Sequence, residues 1–194
     1  MKQLLLILAV VALVGCGGKE GDGNTGVVKP NKPSPKAVPE KPITDPVVEK
    51  EIRFLLEKPT GELTKSDLEK VTELNLFDNQ LTDVKGLEKL TQLKKLFLSN
   101  NQLTEVPKGL EKLTQLTDLW LTHNQLTDVK GLEKLTQLKG LDLNTNQLTS
   151  VQGLEKLTQL KILDLTNNPE LTKAQIDELQ KALPKCRIVS NPKK

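Results

Sequence analysis

The chain has 194 residues, enough for one domain of ordinary size with terminal extensions. Its net charge is only +3, and aromatic residues make up 2% of it with no tyrosine, so the dense basic stripe and the base-stacking surface of a nucleic-acid-binding protein are both excluded. The two cysteines, Cys16 and Cys186, lie far apart in the sequence and indicate no disulfide framework.

The start of the chain, positions 1–15, has the pattern of a bacterial secretion signal. After Lys2, an apolar run extends from Leu4 to Val14, which is shorter than the roughly 20 residues that a membrane-spanning helix needs. It ends in Leu13-Val14-Gly15-Cys16, which resembles the bacterial lipobox in all four positions. The resemblance implies removal of signal peptide 1–15 and attachment of lipid to Cys16, so we expect a protein anchored to a membrane of the bacterial cell envelope and facing out of the cytoplasm. The alternative is an ordinary secretory signal with a chance cysteine.

Residues 16–45 are predicted to form a tether between the lipidated Cys16 and the folded domain. Glycine dominates the first part, and prolines follow at positions 30, 33, 35, 39 and 42. Apolar residues are too few to offset the entropy of ordering, so we expect disorder with a tendency to polyproline II. At a rise of about 3.1 Å per residue, this segment could hold the domain up to roughly 90 Å from the membrane.

Residues 46–70 are predicted to form a helical N-terminal cap. Asp45-Pro46 is typical of a helix start, because Asp caps helices well and proline is tolerated in the first turn. Pro59-Thr60-Gly61 should end this helix, and Thr64 to Asp67 indicates a second short helix that runs to Lys70.

Residues 71–171 contain five tandem copies of one pattern, with a period of roughly 22 residues. The copies begin VTELNLFDNQL, LKKLFLSNNQL, LTDLWLTHNQL, LKGLDLNTNQL and LKILDLTNNPEL. They resemble the leucine-rich repeat, LxxLxLxxNxL, and the short second half of the unit, as in TDVKGLEKLTQL, is similar to that of the bacterial internalins. The resemblance implies an α/β solenoid, a curved coil with a parallel concave sheet, and a role in protein recognition.

The residues themselves support stacked repeats. Leucines that alternate with other residues, as in Leu119-Trp120-Leu121, predict a short strand with one buried face. A single unit cannot offset the entropy of ordering its backbone, which is about 1–2 kcal/mol per residue. Stacked units share their apolar faces, so the array folds where one unit would not.

One asparagine recurs at the same position of every copy, where the strand must turn into the loop. An amide side chain both donates and accepts hydrogen bonds, so it can satisfy the backbone groups that the turn leaves unpaired. The predicted structural ladder consists of Asn79, Asn101, Asn124, Asn146 and Asn168.

Residues 172–194 are predicted to form a C-terminal cap made of a helix and a strand. Thr172 and Gln175 have the spacing of a capping box, and Pro184 should end the helix. Cys186 to Val189 has the pattern of a last short strand. We interpret Cys186 as a small buried hydrophobe, with a reactive or partner-linked thiol as the alternative.

The copies differ most at strand positions that face away from the core, whereas GLEKLTQL occurs unchanged in four of them. An exposed aromatic cluster is hard to explain as packing, and Trp is enriched at binding hot spots. We therefore predict a concave binding site, with Phe97 and Trp120 as anchors. The alternative is that the aromatic rings stack on one another and only stabilise neighbouring strands. The candidate residues are Phe77, Phe97, Trp120, His123, Lys94, Lys95, Asp118, Asp142 and Asp164.

We expect no catalysis, cofactor or metal site. A single histidine and two distant cysteines exclude a Cys/His nucleophile pair and a zinc cluster. Asp142 and Asp164 lack the apolar surroundings of a glycosidase acid. The leading hypothesis is a lipid-anchored, non-enzymatic module that binds a protein or peptide. The alternatives are a structural or self-associating envelope protein and, less favoured, a glycan-binding protein that stacks sugars on Trp120.

Overall fold

The computed structural model describes residues 43–191, so the predicted signal peptide, Cys16 and most of the tether lie outside the described residues. Within this range the chain forms three α-helices, four 3-10 turns and six short strands. The helices are α1 (Pro46–Leu55), α2 (Lys65–Leu68) and α3 (Lys173–Ala182). The strands are β1 (Glu73–Asn75), β2 (Lys95–Phe97), β3 (Asp118–Trp120), β4 (Gly140–Asp142), β5 (Ile162–Asp164) and β6 (Arg187–Val189).

The six strands form one open parallel sheet in the order in which they follow along the chain. Each strand has three residues, and its central apolar residue pairs in register with the central residue of the next strand. This column consists of Leu74, Leu96, Leu119, Leu141, Leu163 and Ile188. The prediction of a leucine-rich solenoid with a parallel concave sheet is confirmed. The predicted last strand extends the sheet of the repeats, since β6 pairs with β5.

The leucines of all repeats form one continuous buried core. A GLEK segment follows the strand in the first four units and makes a 3-10 turn in each; these turns are Leu87–Lys89, Leu110–Lys112, Leu132–Lys134 and Leu154–Lys156. The glycine before each turn has a left-handed backbone, as at Gly131 with φ 96°, which favours glycine. In three of the four turns the glutamate two residues later accepts a hydrogen bond from the glycine N–H, at 2.7 Å for Glu133. The near-invariance of this segment therefore has a local structural cause.

Both ends of the core are capped. Helix α1 begins at Pro46 as predicted, because Asp45 Oδ1 accepts hydrogen bonds from the N–H groups of Val47 and Val48 at 2.9 and 3.1 Å. The predicted capping box between Thr172 and Gln175 is present at the start of α3. Helix α2 ends at Leu68 and not at Lys70, as the chain turns to bring Val71 into the core.

Candidate binding face

The outward side chains of the sheet form the candidate site. Side chains alternate between the two faces of a strand, so the central residue of each strand lies in the core while the first and third residues point away from it. We define the concave face as these first and third residues of β1 to β6, together with the two residues after each buried leucine that follows the strand. From β1 to β6 the third residues are Asn75, Phe97, Trp120, Asp142, Asp164 and Val189.

Two aromatic rings on this face are stacked. Phe97 and Trp120 are register partners on β2 and β3, their ring centroids lie 4.2 Å apart, and the angle between the ring planes is 4°. Both side chains are half-buried. Among the described residues this is the one aromatic contact, so Phe77, which is 51% exposed, does not join the stack.

A shallow cavity of about 430 Å³ opens over the first half of the concave face. It brings together five of the nine predicted binding residues. These are Phe77, Phe97, Trp120, His123 and Asp142, and the rest of the lining comes from Asn75, Ser99, Asn100 and Thr122. The hydroxyl oxygen of Thr122 is buried and has no hydrogen-bond partner within residues 43–191. The cavity therefore combines apolar ring surface with several polar groups, as binding sites for organic ligands do.

The other four predicted residues do not line this cavity. Lys95 Nζ lies 3.4 Å from Glu73 Oε2 in an exposed ion pair between β2 and β1. Lys94 precedes β2 and is exposed. Asp118 accepts a hydrogen bond of 2.8 Å from the Thr117 hydroxyl. Asp164 is the register partner of Asp142 on the far side of the cavity, so it continues the acidic row toward β6.

His123 has a backbone constraint that the sequence reasoning missed. It has a φ of 53°, and the residue before the ladder asparagine has a φ between 52° and 57° in every repeat; these residues are Asp78, Asn100, His123, Thr145 and Asn167. Asn, Asp and His tolerate this left-handed conformation better than most residues, whereas the β-branched Thr145 is strained by it. The prevalence of Asp and Asn at this position was the available signal. His123 therefore suits its backbone conformation and, being exposed, also lines the cavity.

The carboxylates of Asp142 and Asp164 are turned along their own strands. Asp142 Oδ1 accepts a hydrogen bond of 3.0 Å from the Asn144 N–H, and Asp164 Oδ1 accepts one of 2.8 Å from the Thr166 N–H. Within the described residues, the second oxygen, Oδ2, of either side chain accepts no hydrogen bond. Oδ2 of each carboxylate can therefore accept a hydrogen bond from another molecule on the concave face.

Four of the five ladder asparagines are buried, and each forms hydrogen bonds with backbone groups of its own repeat and of the preceding one. Asn124 Nδ2 donates to Leu98 O and Leu121 O at 2.9 and 3.0 Å, and its Oδ1 accepts from the Leu103 N–H at 3.1 Å. Because Leu98 and Leu103 belong to the preceding repeat, the side chain joins two repeats. The buried members are Asn101, Asn124, Asn146 and Asn168.

Asn79 was predicted to belong to this ladder, but its side chain does not join two repeats. It is exposed, and the only side-chain hydrogen bond that the structure gives it runs from Nδ2 to Phe77 O at 2.9 Å. The physical reason is its place in the first repeat, since β1 is the first strand of the sheet and no earlier repeat offers backbone groups to bind.

Two further cavities lie at the caps. One of about 640 Å³ is lined by α1 and includes Phe54, which is 76% exposed, and one of about 510 Å³ lies between the last repeat and α3. Across residues 43–191, no group of three or more His, Cys, Asp or Glu side chains is arranged to hold a metal ion. None of the helices in that range is long and apolar enough to cross a membrane.

Comparison with known proteins agrees with the geometry. The family model described as "Leucine Rich repeats (2 copies)" matches residues 69–108, 91–134, 114–155 and 136–181, which together cover more than half of the chain. No curated protein is significantly similar in sequence. No catalytic family is indicated.

Three solved structures with the same fold come from two bacteria. An internalin of Listeria monocytogenes aligns with a TM-score of 0.70 and 28% identity over 77% of this chain and 45% of that one. Internalin C2 of the same organism gives 0.70 and 26% over 78% of this chain and 68% of that one. A repeat protein of Leptospira interrogans gives 0.59 and 32% over 66% of this chain and 34% of its own. This chain thus spans less than half the length of the first internalin.

Proposed function

Because the chain belongs to the leucine-rich repeat family, whose members commonly serve as protein-interaction modules, we propose that it is a non-enzymatic module that holds a protein or peptide on its concave face. The proposed contact area is the cavity around Phe97 and Trp120. We further propose that lipid on Cys16 anchors the module to the cell envelope, facing out of the cytoplasm. The lipobox resemblance of Leu13 to Cys16 supports this anchor.

The observation that carries the binding proposal is the half-exposed aromatic stack. Each ring has two faces, and the contact between Phe97 and Trp120 covers one face of each. Stabilisation of neighbouring strands accounts for the covered faces only. The remaining faces, in a cavity with the unpartnered hydroxyl of Thr122, support contact with another molecule.

The stack also favours the second candidate, a structural protein in which the rings only join β2 to β3. Stacked aromatic pairs contribute about 0.5–1.5 kcal/mol beyond the area that they bury. The two candidates differ in whether removal of a ring abolishes binding of a partner or only lowers the free energy of unfolding. The second candidate also includes self-association, in which the repeats pack against a second copy of the chain.

A capture experiment on envelope extract separates these candidates. The full chain, its Trp120→Ala variant and a Phe54→Ala variant are immobilised in parallel, and their folded state is checked by circular dichroism. Phe54 is the matched control, because it is an exposed aromatic residue outside the concave face. We expect the wild type and Phe54→Ala to retain the same protein and Trp120→Ala to lose it. If folded Trp120→Ala retains the captured protein, the concave site is contradicted. If free sugars release the captured protein, glycan binding is favoured.

A further inference from the structure

The stack leaves one face of the Trp120 indole directed toward β4. Strand β3 lies between β2 and β4, and the covered face of the indole is turned to Phe97 on β2. The uncovered face is therefore turned to the other side, where the register partner of Trp120 is Asp142. A large flat ring thus stands beside a short carboxylate.

The outward side chains of β4, beside Trp120, are short, since they belong to Gly140 and Asp142. Asp142 Oδ1 accepts a hydrogen bond of 3.0 Å from the Asn144 N–H, which fixes the orientation of this carboxylate. The first residue of β4 is Gly140, which has no side chain, and a Cβ placed there would lie 2.8 Å from Asp118 Oδ1. The carboxylate of Asp118 thus occupies the space that a side chain at position 140 would need.

The charged outward residues of β3 to β5 are all acidic, whereas Lys95 of β2, the register partner of Asp118, pairs with Glu73 of β1. The outward residues of β3, β4 and β5 are Asp118, Trp120, Gly140, Asp142, Ile162 and Asp164, which include three carboxylates and no basic group. This local excess opposes the net charge of +3 on the whole chain. The nearest lysines along β4 and β5, Lys139 and Lys161, precede the first strand residue, so about 10 Å of extended backbone separates each from the carboxylate at the strand end.

From this arrangement, and resting on the proposed function, we propose that the concave face recognises an arginine side chain of its partner. The guanidinium lies flat on the free face of Trp120 and donates hydrogen bonds to Asp142, with Asp118 and Asp164 on either side. A planar guanidinium suits this geometry better than an ammonium group does, because it stacks on an aromatic face and binds a carboxylate through two parallel N–H groups.

The test uses the fluorescence of Trp120, which is the only tryptophan in the chain. The full chain is titrated with the peptide Gly-Arg-Gly and with the same peptide carrying citrulline or lysine. Citrulline has nearly the shape of arginine without its charge. We expect a saturable change in emission with the arginine peptide, a weaker response to lysine and none to citrulline. Equal responses to arginine and citrulline would overturn the proposal.

Two variants separate charge recognition from general effects. Asp142→Asn keeps the oxygen that accepts from the Asn144 N–H, so the local turn is preserved while the charge is removed. It should weaken the apparent affinity for the arginine peptide by about threefold or more. Asp177→Asn is the matched control, because it removes one carboxylate charge from α3, away from the concave face. An equal affinity of Asp142→Asn and the wild type would contradict the assignment.

The same variants distinguish this proposal from the broader function. If Trp120→Ala loses a captured envelope protein and Asp142→Asn retains it fully, the concave face binds a partner without arginine recognition, and the present proposal is wrong. If both variants retain the protein, the proposed function fails as well. If both lose it and Asp177→Asn retains it, both are supported.

Discussion

Phe97 and Trp120 stack face to face at 4.2 Å because adjacent repeats place them at the same position of paired parallel strands. Two residues that lie one whole repeat apart in the sequence thus come into direct ring contact. Neighbouring strands lie about 4.8 Å apart, close to the 4.2 Å between the two ring centroids, so residues at one repeat position form a continuous surface. This relation underlies both the stabilising and the binding roles of the rings.

The stack should contribute a measurable coupling energy. We predict that Phe97→Ala and Trp120→Ala, made singly and together, show a coupling of about 0.5–1.5 kcal/mol in the free energy of unfolding. The measurement is urea denaturation followed by circular dichroism. Strictly additive effects of the two substitutions would show that the contact does not stabilise the fold.

The buried asparagines should matter far more than the exposed one. Asn124→Ala removes the partner of two carbonyls and one N–H inside the core, and we expect it to lower the free energy of unfolding by about 2–3 kcal/mol. Asn79→Ala is the matched control and should change it by less than about 0.5 kcal/mol, as at other surface sites. Similar losses in the two variants would contradict the distinction between them.

The N-terminal cap should lose stability in acid. The Lys58 ammonium, which lies 2.7 Å from Asp67 Oδ2, and hydrogen bonds from Thr64 hold the pKa of Asp67 well below its ordinary value of 3.8. Since the unfolded chain then binds more protons, this stabilisation is complete above the ordinary value and is lost as pH falls through the lower folded-state pKa.

Thermal unfolding of Asp67→Asn checks that pH dependence. We expect its melting temperature to lie below that of the wild type at neutral pH and the difference to shrink in strong acid. Lys58→Met removes the largest cause of the shift and should reduce the pH dependence only in part, because the bonds from Thr64 remain. A difference that stays constant with pH would contradict the assignment.

The proposed lipid anchor can be tested apart from the binding face. Cys16→Ser removes the sulfur that would carry the lipid, so we expect uncleaved precursor and no incorporation of labelled fatty acid in growing bacteria. The wild type should incorporate label and fractionate with membranes. Unlabelled, normally processed wild-type protein would favour an ordinary secretory signal.

The periodic part of the structure followed from the sequence. The recurrence of Leu-x-Leu once in every repeat predicted the strands, and the spacing of Thr172 and Gln175 predicted the start of α3. The repeat spacing also placed Phe97 beside Trp120, because residues at the same position of successive repeats become neighbours when the units stack.

The features that the sequence did not predict depend on the end of the repeat array, on backbone torsion angles or on local hydrogen bonds. Asn79 matches the other ladder residues in sequence, but it lacks an earlier repeat to bind. The left-handed backbone of His123 depends on how the chain leaves the strand, which a hydrophobic pattern does not encode. The carboxylate orientation of Asp142 depends on a bond to its own backbone two residues on.

The most direct test of the concave site observes Trp120 while a partner binds. Because it is the only tryptophan, labelling the full chain with fluorinated tryptophan gives one fluorine NMR signal from this position. Addition of the envelope protein that the wild type captures should shift or broaden this signal, and addition of the same protein after blocking by excess unlabelled wild type should not. An unchanged signal during demonstrated binding would place the contact elsewhere and contradict the account.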